Sequence, residues 1–80
     1  MNLEDYECQI GETIKLLRTH KGWSQEKLAE MSEIDRSYIS QIECGRNLTV
    51  DVLYRISDAL KETPASILKQ VERKMNFEGK

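Results

Sequence analysis

The run from Ser24 to Gly45, SQEKLAEMSEIDRSYISQIECG, decides the fold. It reads as two short helices joined by a tight turn. Leu28, Ala29, Ile34, Ile39 and Ile42 fall at positions that give both halves an inward face. Laying Asp35 to Cys44 on a helical wheel sends Ile39 and Ile42 to one side and Arg36, Ser37, Ser40 and Gln41 mostly to the other. Such a helix, about 15 Å long, matches the size of a B-DNA major groove. Its outward residue types are those that bond base edges: Arg to guanine O6 and N7, Gln to adenine N6 and N7, and Ser to several edges. A polar helix face is also what ordinary solvated surface looks like. The bend and the preceding helix tip the balance, because two helices joined by a three- or four-residue turn form the arrangement whose second helix enters a groove. Gln25, at the start of the first helix of the pair, is then placed to meet a phosphate.

The turn contains no Gly or Pro, so one ordinary residue must take a left-handed conformation. Glu33 is the expected one, at roughly 1 kcal/mol or more of strain. Ser24 and Asp35 supply N-caps for the two helices, and Gly45 ends the second.

Working outward, Ile10, Ile14 and Leu17 recur at helical spacing, with Leu16 widening the stripe, and predict a first helix over residues 8–21 that stops at Gly22. Trp23 covers the junction with the second helix, residues 24–31. The third spans 35–44. Thr49 caps a fourth over 49–61, with Val50, Leu53, Ile56, Ala59 and Leu60 inward, and Thr63 with Pro64 opens a fifth over 64–75. Ile67, Leu68, Val71 and Met75 form its apolar stripe, and the tail NFEGK should fray. Gly and Pro fall at inferred helix ends and no alternating pattern is sustained, so the fold class is all-α, one five-helix domain over residues 1–80.

Eighty residues support only a small core, which favours a homodimer. The stripe Ile67, Leu68 and Val71, with the outer side of the fourth helix, is the expected dimer surface; the alternative is that these residues close the monomer's own core. Hydrophobic residues at 39% and charged residues at 32% describe a chain that folds. No apolar run spans a bilayer and MNLEDYEC lacks the pattern of a secretory signal, so a cytoplasmic protein is expected. Cys8 and Cys44 form no CxxC pair, and with His20 they make no zinc site; both read as reduced thiols, and neither metal nor cofactor is expected. The absence of a phosphate loop, a second histidine or clustered carboxylates argues against an enzyme.

The net charge of −2 is unusual for a nucleic-acid binder. Its distribution answers the objection, because Glu4, Asp5, Glu7 and Glu12 concentrate acidity before residue 15 and the remainder carries a slight excess of Lys and Arg.

From Ile14 to Leu60, through SQEKLAEMSEIDRSYISQIECGRN, the chain resembles the lambda-repressor-like, or Cro/C1-type, helix-turn-helix domains. The match rests on Gln25, Ala29, Ile34, Ile39 and Ile42, and departs from the family's frequent glycine at Glu33. The resemblance implies an internal ion pair between Arg18 and Glu43, which would otherwise pass as surface charges. Within the family, DRSYIS and RNLT look most like the controller proteins of bacterial restriction–modification systems, small homodimers on palindromic operators. By that resemblance Arg36, Ser37 and Tyr38 contact bases or nearby backbone, Gln41 supports them, and Arg46 with Asn47 approaches the backbone or groove edge. Tyr38's ring equally suits packing on the second helix. A phage-type repressor, a toxin-linked antitoxin, or a helical protein-interaction module that does not read DNA are the alternatives.

Overall fold

The computed structural model describes the backbone of residues 3–79 and the side chains of residues 5–75; Met1, Asn2 and Lys80 lie outside the described residues. Among the described residues five helices follow one another without a strand: α1 Leu3–His20, α2 Gln25–Ser32, α3 Arg36–Glu43, α4 Val50–Ala59 and α5 Pro64–Gly79. Their starts are set by local chemistry. The Ser24 hydroxyl accepts from the Lys27 amide, the Asp35 carboxylate from Ser37, the Thr49 hydroxyl from Val52, and the Thr63 hydroxyl from Ser66 ahead of Pro64.

Two ends differ from expectation. The first helix begins at Leu3 rather than at residue 8, so Cys8 is within it. Asp5 and Glu7 near its N-terminus suit the positive end of the helix dipole, and Tyr6 stays exposed, so no apolar periodicity marks these turns. The fifth runs through Gly79 instead of fraying after Met75.

Ile14, Leu28, Ile39, Ile42, Ile56, Leu60, Ile67 and Val71 form the fully buried heart of the core. α1 packs on α3 and α5, α2 on α3 and α4, and α4 on α5. Gly11 lies inside α1, not at a helix end: a Cβ there would collide with the carbonyl oxygens of Ile42 and Glu43, so α1 crosses α3 backbone against backbone.

Three apolar expectations are corrected. Leu16 and Val50 are exposed, 65% and 71%, because the buried side of α1 there is formed by Thr13, Ile14 and Arg18 and the buried stripe of α4 is centred on Val52, Leu53, Ile56 and Ser57. Ile67 and Val71, 0% and 1% exposed, belong to this chain's own core and offer no surface to a second copy; of the expected dimer residues only Leu68 reaches solvent. Helical periodicity marks an apolar face, and the rest of the fold decides what covers it.

Candidate nucleic-acid interface

A buried ionic network ties the end of α1 and the entry to α2 to the end of α3. Arg18 donates from Nε to Glu43 Oε2 at 2.7 Å and from Nη2 to Oε1 at 3.1 Å, and its Nη1 donates to the Trp23 carbonyl at 2.7 Å. Both ionic side chains are nearly inaccessible, 9% and 3% exposed. Trp23 is half-buried at the junction of α1 and α2 as expected, with the Lys21 ammonium 5.5 Å from the ring centre.

That network continues to the outer surface. Gln25 donates from Nε2 to Glu43 Oε1 at 3.0 Å, and its own Oε1 accepts from Arg36 at 3.1 Å. Arg36 also pairs with Glu26 at 3.6 Å, both exposed. Gln25, expected to meet a phosphate, is therefore half-buried between the buried pair and the first residue of α3. Nothing in the spacing of the residues announces this link; it depends on the angle at which α2 meets α3.

The turn between α2 and α3 takes its sharp course at Glu33, with φ 59° and ψ 41°, and both Glu33 and Ile34 amides donate to the Ala29 carbonyl. Ile34 then turns inward. Asp35 caps α3, accepting both the amide and the hydroxyl of Ser37, and these bonds, helped by the Arg36 charge, hold its carboxyl below the usual aspartate range.

α3 ends in a Schellman turn: the Arg46 amide donates to the Gln41 carbonyl, the Gly45 amide to that of Ile42, and Gly45 has φ 84°. Asn47 follows with φ 61°. Two bonds fasten this loop to α3. The Tyr38 hydroxyl donates to the Asn47 carbonyl at 2.6 Å, and Asn47 Nδ2 donates to Gln41 Oε1 at 2.7 Å. Tyr38 packs its ring against the core and its hydroxyl on the loop.

The candidate reading residues thus fall into two groups. Arg36 and Ser37 are exposed at the start of α3, one tied to Gln25 and the other to its cap; Gln41, Arg46 and Asn47 are exposed at the far end, with Ser40 half-buried beside Gln41. An exposed face carrying two guanidiniums, amides and hydroxyls has the donor and acceptor types that phosphates and base edges require. Among the described residues no group of His, Cys, Asp and Glu is arranged to hold a metal, and no helix is long and apolar enough to cross a membrane.

Comparison with known proteins agrees with this geometry. The helix-turn-helix family model matches residues 14–67. The chain is 42% identical over 61 residues to the control protein C.BamHI of Bacillus amyloliquefaciens, covering 74% of this chain and 75% of that protein. The restriction-modification controller protein C.AhdI from Aeromonas hydrophila superposes with a TM-score of 0.72 at 38% identity, over 75% of this chain and 92% of that one. The transcriptional regulator RamB of Mycobacterium tuberculosis is 48% identical over 50 residues, 61% of this chain but only 10% of RamB, so the chain spans about a tenth of that relative's length. With most of its length matched by the family model and three quarters of a control protein covered, the chain belongs to the helix-turn-helix family.

Proposed function

We propose that this chain is a sequence-specific DNA-binding transcription regulator, the controller protein of a restriction–modification system, acting in the bacterial cytoplasm as a homodimer on a palindromic operator. The observation that carries this reading is the exposed face of α3 and its following loop, Arg36, Ser37, Gln41, Arg46 and Asn47, on a helix tied to α1 by the Arg18 and Glu43 pair and to α2 by Gln25. The likeness to C.BamHI and C.AhdI supports the controller role. In this reading α3 enters the major groove, Arg36 and Gln41 bond base edges, and Arg46 with Asn47 meets the backbone at the groove's rim.

A homodimer doubles these contacts and places the two reading helices about 34 Å apart, one turn of DNA. The surface offered to a second copy includes Val50 and Tyr54, 71% and 60% exposed and one turn apart on α4, and Leu68 on α5. Sedimentation at micromolar concentration is expected to give a species of twice the 9.3 kDa chain; a monomer alone would sink the dimer.

Selection of sites from random duplex DNA tests the function itself. The chain is expected to enrich a two-fold symmetric sequence, and Arg36→Ala or Gln41→Ala to relax it at defined positions by about 1–3 kcal/mol of discrimination each. Failure to enrich any sequence would overturn the reading in favour of an interaction module.

A further inference from the structure

Cys8 and Cys44, distant in sequence, line one cleft of about 520 Å³ together with Glu7, Gly45, Arg46 and Asn47. Cys8 stands on α1, within the turns that precede the apolar stripe; Cys44 is the C-cap of α3. Both thiols are free and exposed. The approach between the two segments is tight, for a Cβ on Gly45 would lie 2.9 Å from both the Cα and the Sγ of Cys8. One bond and one Cα-to-Cα step from that point bound the separation of the two cysteine Cα atoms at roughly 8 Å. A disulfide spans roughly 4.4–6.8 Å between Cα atoms. The bound therefore puts the two Cα atoms within about one or two ångströms of that range, on neighbouring segments that line one cleft.

We propose that Cys8 and Cys44 form a thiol-modification site, oxidised by a low-molecular-weight disulfide to an intramolecular disulfide that ties α1 to the C-cap of α3. One cysteine thiolate attacks the small disulfide, whose S–S bond breaks to release one small thiol and leave a mixed disulfide. The second cysteine thiolate then attacks the protein sulfur of that mixed disulfide and releases the other small thiol. The protein loses two electrons and two protons, and the small disulfide gains them. Two sulfurs facing one cleft without a third ligand suit this chemistry better than a metal.

The consequence follows from what the cleft adjoins. Drawing Cys44 toward Cys8 shifts the Schellman turn, and with it Asn47, whose carbonyl and amide hold Tyr38 and Gln41. Resting on the DNA-reading role proposed above, the disulfide displaces Gln41, Arg46 and Asn47 together and lowers affinity for DNA.

The test uses the full chain and oxidised glutathione. Intact mass and peptide mapping under non-reducing conditions are expected to show a monomer lighter by two hydrogen atoms, with the Cys8 and Cys44 peptides joined. Cys8→Ser and Cys44→Ser are each expected to retain one glutathione instead. Accumulation of glutathione adducts on the unsubstituted chain, or of chain-to-chain disulfides, would overturn the site. Fluorescence polarisation with a duplex recovered from the site selection reads the consequence: oxidation is expected to weaken binding about tenfold, dithiothreitol to restore it, and the double variant Cys8→Ser with Cys44→Ser, which has no thiol to modify, to be indifferent. Equal binding by oxidised and reduced protein refutes the regulatory effect. If the reduced protein binds no duplex, the DNA-reading role fails while the mass measurement still decides the disulfide.

Discussion

The Arg18 guanidinium and the Glu43 carboxylate meet in a two-pronged bond, 2.7 Å from Nε to Oε2 and 3.1 Å from Nη2 to Oε1, and nearly all of both side chains is shut off from water. The bond joins the last turn of α1 to the last residue of α3. Taking two charges out of water opposes the attraction between them, so such a pair adds little net stability compared with an apolar pair of similar shape. Its effect is directional, because the Arg18 fork also reaches the Trp23 carbonyl and Glu43 also accepts from Gln25. One carboxylate thus sets the positions of α1, the entry to α2 and the end of α3.

Removing one partner should therefore be far more damaging than removing both. Arg18→Ala leaves Glu43 buried without its cation and is expected to destabilise the fold by about 3–5 kcal/mol. Arg18→Met combined with Glu43→Leu is expected to recover most of that loss. Thermal denaturation reads both, and a shift of only a degree or two for Arg18→Ala would refute a buried role for the pair.

The cap of α3 titrates. The Ser37 hydroxyl and amide bonds, with the Arg36 charge, lower the Asp35 carboxyl below its ordinary value of 3.8. A carboxyl lowered by folding stabilises the folded state above its unfolded value and loses that contribution as pH falls through the folded one. Stability should therefore decline below about pH 4 in part through Asp35. Asp35→Ala is expected to lower Tm by a few degrees at pH 7 and to reduce the difference between pH 7 and pH 3. An unchanged difference would remove Asp35 from the acid response.

Non-glycine residues hold left-handed conformations at Glu33, Asn47 and Lys61, with φ of 59°, 61° and 62°. Glu33 and Lys61 follow the ends of α2 and α4, where a glycine relieves the Cβ clash. Glu33→Gly and Lys61→Gly are each expected to stabilise by up to about 1 kcal/mol, the gain being reduced by glycine's greater unfolded freedom. Gly11→Ala should act oppositely and cost about 1–3 kcal/mol, since the added methyl meets backbone carbonyls of α3. Urea denaturation at constant m measures all three.

Local signals in the chain were enough to place the caps at Ser24, Asp35, Thr49 and Thr63, the strained turn at Glu33 and the inward residues of the helix pair, because each depends on neighbours within a few positions. What pairs with what across elements was not legible in the same way. Gln25 reads as a free polar side chain until the crossing of α2 and α3 puts its amide between Glu43 and Arg36. Ile67 and Val71 have the spacing of any apolar face, and only the packing of α5 on α1 and α4 assigns them to the core. The link between Arg18 and Glu43 came from family resemblance, since charge and spacing alone leave both on the surface. Gly11 and the proximity of Cys8 to Gly45 carried no local signal, being properties of where α1 crosses α3.

The loop after α3 offers the sharpest separation of backbone from side-chain effects. Asn47 holds a left-handed backbone and spends its side-chain amide on Gln41, while its carbonyl takes the Tyr38 hydroxyl. Asn47→Gly keeps the backbone shape and the Tyr38 bond but frees the Gln41 carbonyl oxygen. Stability should change by less than about 1 kcal/mol, as for an exposed hydrogen bond. If Gln41 reads a base from the position Asn47 gives it, affinity for the selected duplex should fall by about three- to tenfold, with preference relaxed where Gln41→Ala relaxes it. A uniform loss across sequences would instead assign Asn47 to the phosphate backbone, and it would leave Gln41 independent of the loop.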